Sequence, residues 1–95
     1  MNILRPLNIV RTNYESGPYV ITEVTGPCTC PEYLRHLDGD DTPSEPHFHL
    51  TCRMHGQPER GDYWLNGYRE DGTNVWSDDR IEVVGEAAGQ LELFS

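Results

Sequence analysis

The chain has no lysine. Its seven basic residues are all Arg, set against sixteen Asp and Glu, for a formal charge of -9 at pH 7 and a pI near 4.6. The arginines are scattered, so no basic stripe is available to displace counterions from phosphates, which argues against direct binding of DNA or RNA. Long apolar runs are missing too: none approaches the roughly eighteen residues a membrane helix needs. The first ten residues carry Arg5 and Pro6 and no apolar core segment, so no secretory signal is expected and a cytoplasmic protein is. Apolar residues are also scarce, at 36 %, with a mean hydropathy of -0.65. In 95 residues there is room for one core, and a thin one invites a staple: a disulfide, a metal or a partner. Phosphate-cradling glycine loops, nucleophile elbows, H-E-x-x-H helices and the zinc-deaminase pattern are all absent.

What is present is a concentration of soft and borderline donors. All three cysteines and all four histidines fall within Cys28–His55, as C-x-C, a sixteen-residue spacer that holds His36, H-x-H, then Cys52-Arg-Met-His55. An odd cysteine count in a reducing compartment points to metal or chemistry rather than to disulfides. Thiolate with imidazole selects zinc, which takes four tetrahedral ligands. The expected ligands are Cys28, Cys30, Cys52 and His55, with Gly56 permitting a sharp turn after the last; His49, then His47, are the alternates for the fourth place. A closed four-ligand site is structural and adds folding free energy. The competing reading makes Cys52 an ordinary buried thiol and the histidines surface residues.

Residues 7–11 and 19–24 are rich in β-branched side chains and are joined by Glu15-Ser16-Gly17-Pro18, which reads as a hairpin. Gly26-Pro27 is expected to end the second strand. Pro31 can open a short helical turn over residues 32–37, followed by the acidic loop DGDDTPSEP. HFHLTCRM alternates, with Phe48, Leu50, Cys52 and Met54 on one face and His47, His49, Thr51 and Arg53 on the other. Asn66-Gly67 is the strongest hairpin signal, with Asp71-Gly72 close behind. Five or six short strands with at most a turn of helix predict a mostly β fold, a small twisted barrel or sandwich of SH3-like size with a zinc-stapled loop. The expected organisation is one domain over residues 1–84 and a flexible tail over residues 85–95.

That tail ends in Gln90-Leu91-Glu92-Leu93-Phe94, which resembles the bacterial sliding-clamp-binding motif. The resemblance implies a peptide docking in the clamp's hydrophobic groove. Gln90 would bond at its rim, Leu91 pack nearby, and Leu93 and Phe94 fill the deep pocket. The alternative is a last edge strand on the domain's own sheet. The blocks GPCTCPEYL, HFHLTC and YWLNGYREDGTNVWSDDRI resemble small bacteriophage and mobile-element proteins. The expected function is a non-enzymatic, zinc-stabilised accessory factor that binds a protein partner, the sliding clamp by this motif. Two alternatives stand beside it. One is an acidic decoy that engages a nucleic-acid-binding protein through Asp38, Asp40, Asp41, Asp78 and Asp79. The other is a small metal-dependent enzyme at the His/Cys cluster, or one using Cys52 with His49 as nucleophile and base. Calcium at the loop beginning with Asp38 is disfavoured, since His49 stands where the closing glutamate belongs.

Overall fold

The alternation in HFHLTCRM is realised as a central strand whose inward side chains, Leu50 and Cys52, are fully buried. The computed structural model describes residues 2–87. In chain order these form β1 (Asn8–Thr12), β2 (Tyr19–Cys28), the short helix α1 (Tyr33–Leu37), β3 (His47–Met54), a 3-10 turn (Pro58–Arg60), β4 (Asp62–Tyr68) and β5 (Ile81–Glu86). The mostly β expectation holds. All five strands lie in one antiparallel sheet, ordered β4-β3-β2-β1-β5. The connection between the two edge strands folds on itself through a bridge between Thr73 and Arg80, and a 2.8 Å bond from the Ile81 N–H to the Gly72 carbonyl ties it to β5. One side of the sheet buries Val10, Ile21, Leu50, Cys52, Leu65 and Tyr68, joined by Leu4 from the N-terminal segment. No described helix is long and apolar enough to cross a membrane.

Two local outcomes differ from the sequence expectations. Gly26-Pro27 does not end β2; the ladder skips the pair, passing from Thr25 opposite His49 to Cys28 opposite His47. Proline has no N–H to give a ladder, so the chain accommodates it as a bulge and continues. Asn66-Gly67 is likewise a bulge inside β4 rather than a hairpin turn. Gly67 takes φ +83°, and His49 and Phe48 face Asn66 and Tyr68 across it. The extra residue lets both Leu65 and Tyr68 point into the core. The turn forms instead at Asp71-Gly72, where the Asp71 carboxylate accepts bonds from the N–H (3.0 Å) and hydroxyl (2.6 Å) of Thr73 and Gly72 adopts φ +91°.

The boundary expected after residue 84 also moves. Gly85 and Glu86 pair with Ile9 and Asn8, and the buried Ala87 donates its N–H to the Leu7 carbonyl at 2.7 Å. Its small side chain joins Ile9 and Val20 in a second apolar cluster. The segment containing Gln90, Leu91, Leu93 and Phe94 lies outside the described residues.

Candidate metal centre

The outer face of the sheet carries the side chains that β3 turns away from the core. Because a strand alternates, His47 and His49 share that face. The bulge at Gly26-Pro27 sets Cys28 directly opposite His47, and Cys30 follows two residues later. The sulfurs of Cys28 and Cys30 and one ring nitrogen each of His47 and His49 all lie within 4.8 Å of one another. Cys30 Sγ is 3.2 Å from His47 Nε2 and 3.4 Å from His49 Nε2. This group can hold a metal ion.

Each imidazole is also held from behind. His47 Nδ1 is 2.7 Å from the Glu45 carbonyl oxygen, and His49 Nδ1 is 2.9 Å from Asn66 Oδ1. A proton on Nδ1 satisfies both acceptors and leaves each Nε2 lone pair aimed at the cluster, the tautomer a metal-ligating histidine takes. Trp76 packs edge-on to the His47 ring with centroids 4.7 Å apart, and its indole N–H donates to Ser44 Oγ at 2.7 Å. His47 is completely buried. Glycine is needed at two supporting positions. A Cβ on Gly26 (φ +132°) would sit 2.9 Å from the His47 carbonyl oxygen, and one on Gly67 would sit 2.5 Å from the Trp76 ring.

The two thiols differ. The Cys30 N–H, 3.4 Å from Cys28 Sγ, together with His49, lowers the Cys28 pKa from its ordinary value. Burial, then the neighbouring Cys28, raises that of Cys30. A second negative charge is disfavoured here until a cation compensates it, and a divalent ion reverses that preference.

Two of the four expected first-choice ligands are therefore corrected. Cys52 is on the wrong face: it stands between Ile21 and Tyr63 of the flanking strands, fully buried in the core, where burial pushes its thiol up to about 12. His55 is beyond the far end of β3, its N–H bonded to the Pro18 carbonyl at 3.0 Å. Eight residues of extended chain put it roughly 26 Å from His47. The alternates His49 and His47 take their places. The Cys52–His49 nucleophile pair fails for the same reason, since the two side chains leave opposite faces of one strand. Of the acidic positions, Asp41 bonds His36 (2.6 Å) and Asp40 bonds Thr42 (2.6 Å). The supporting groups Asn66, Trp76 and the Glu45 carbonyl carry no recognisable sequence signal, because they arrive from other loops and strands. Comparisons with protein-family models, curated proteins and solved structures give no match.

Proposed function

We propose that the chain is a zinc-stapled β domain serving as a non-enzymatic, protein-binding accessory factor. One observation carries the zinc: both histidines turn Nε2 to Cys30 Sγ while Nδ1 of each meets an acceptor. Two thiolates and two imidazoles form a soft tetrahedral donor set that suits zinc above calcium or magnesium. Tetrahedral zinc places sulfur and nitrogen ligands about 3.5 Å apart, close to the 3.2 and 3.4 Å spacings at Cys30. Four protein ligands leave no open position, which favours a structural role over a catalytic one. The ion would tie the loop bearing α1 to the sheet, compensating for the thin apolar core.

The accessory role rests on the resemblance of residues 90–94 to the sliding-clamp-binding motif, which makes the bacterial clamp the partner tested first. Purified zinc-loaded chain should bind the clamp, and deletion of residues 90–95 should abolish that binding while leaving the melting temperature and zinc content unchanged. Undiminished binding after the deletion would contradict the docking role. The charge of -9 favours one second reading, an acidic decoy for a nucleic-acid-binding protein. Its binding would survive the deletion and weaken steeply with salt.

A further inference from the structure

A second feature lies along β4 beside the metal centre, and it shares Asn66 and Trp76 with the groups that support the two histidines. A pocket of about 430 Å³ opens between α1 and β4, lined by Tyr14, Tyr33, Trp64, Tyr68 and Trp76. Two carboxylates, Glu32 and Asp79, stand in the same lining, which holds no Arg or His among the described residues, and Glu32 is shared with Arg35 at 3.7 Å. Much of this aromatic surface faces solvent: Tyr33 is 69 % exposed, Trp64 65 % and Tyr14 51 %. Large aromatic side chains are usually well covered, so three at one opening call for a ligand.

The chemistry of the lining selects the sign of that ligand. Ring faces are negative and attract a cation that sheds its water cheaply, and an alkylated ammonium is the best case. Asp79 adds attraction of the same sign, and Glu32, shared with Arg35, adds less. Tyr68 forms the floor, its hydroxyl held above its ordinary pKa by burial first, then by Tyr14 and the nearby charge of Asp79. The volume fits a small head group.

We propose that this pocket binds an organic cation with a quaternary ammonium head, carried either by a free small molecule or by a trimethylated lysine side chain. One wall comes from α1, which follows Cys30 by three residues, so the pocket is complete only while the loop is held. For that reason the test uses full-length chain of verified zinc content, and a pocket that fails in fully loaded protein leaves the zinc reading standing.

The probes are choline, its uncharged carbon isostere dimethylbutanol, and a short peptide with and without a trimethylated lysine. The readout is the NMR shift of the indole N–H groups, of which the chain has two. Choline should shift the Trp64 signal saturably and bind about tenfold more tightly than the isostere. Trp64→Ala and Asp79→Asn should each weaken choline by about threefold or more without loss of zinc. Tighter binding of the trimethylated peptide than of choline identifies a protein side chain as the source, and the reverse identifies a free metabolite. Equal binding of choline and isostere, no saturable shift with choline or the trimethylated peptide, or unchanged binding by Trp64→Ala would overturn the proposal.

Discussion

Cys28, the last residue of β2, is the direct cross-strand partner of His47, the first residue of β3. Partners across an antiparallel ladder share a face. That single pairing puts one thiol and one imidazole at the mouth of the same hairpin, and the C-x-C and H-x-H spacings add one more donor to each. The long loop between them, with α1, is thereby closed at its base.

Removing a ligand should release the metal. Cys28→Ser, Cys30→Ser, His47→Ala and His49→Ala should each abolish stoichiometric zinc, whereas Cys52→Ala and His55→Ala should retain it. Asn66→Ala, which takes the acceptor from His49 Nδ1, should weaken zinc by about 10–100-fold. With free zinc at a thousand times Kd, loading contributes about 4 kcal/mol, so chelation should lower Tm by roughly 15–30 °C in a domain of this size. Metal analysis and thermal melts of the same samples check both effects.

The three thiols should report their surroundings to an alkylating reagent. Cys52, buried and raised to about 12, should stay unmodified in folded protein near neutral pH. Cys28 and Cys30 should be protected while zinc is bound and become reactive on chelation, with Cys28 first because its pKa is lowered and that of Cys30 raised. Mass spectrometry after timed quenching counts and locates the adducts. Modification of Cys52 ahead of the other two would contradict its placement in the core.

Glycine substitutions should separate site geometry from general stability. Gly26→Ala must force a Cβ against the His47 carbonyl at φ +132°, and Gly67→Ala must displace Trp76 at φ +83°. Each should cost about 1–3 kcal/mol and lower zinc affinity. Gly85→Ala, whose Cβ would meet Ile9 at an ordinary 3.6 Å, should do neither. Chemical denaturation alongside zinc titration distinguishes the cases.

Acidification should remove the staple. Zinc coordination would hold both thiols as thiolates and so bring their pKa in loaded protein below the ordinary value of about 8.5. Groups depressed on folding stabilise fully above the ordinary pKa and lose that contribution as pH falls through the depressed one. The Tm gap between loaded and chelated protein should therefore narrow from about pH 8 toward about pH 5, with protons taken up as zinc leaves. A gap that widens on acidification would contradict thiolate ligation.

Much of this was legible in the residues. β-branched runs and alternation located the strands, and the thin core pointed to a staple in the Cys28–His55 stretch. Sequence proximity favours Cys52 and His55 as ligands, but strand geometry takes both away from the cluster. The alternation of HFHLTCRM already set Cys52 on the face opposite His49, and an extended strand carries His55 away from His47. What no local pattern revealed was the Gly26-Pro27 bulge that brings Cys28 into register with His47, or the arrival of Asn66 and Trp76 behind the imidazoles. Both depend on pairing between segments distant in the chain. Asn66-Gly67 has the look of a turn because positive φ serves bulge and hairpin alike; the turn itself forms at Asp71-Gly72, bonded to Thr73.

Zinc K-edge X-ray absorption on the purified, loaded chain tests the central claim most directly. Sulfur and histidine nitrogen scatter at distinguishable distances, about 2.3 Å and about 2.0 Å. The proposed site of Cys28, Cys30, His47 and His49 calls for two of each. A shell with three sulfurs, which would enlist Cys52, or one dominated by oxygen would contradict it.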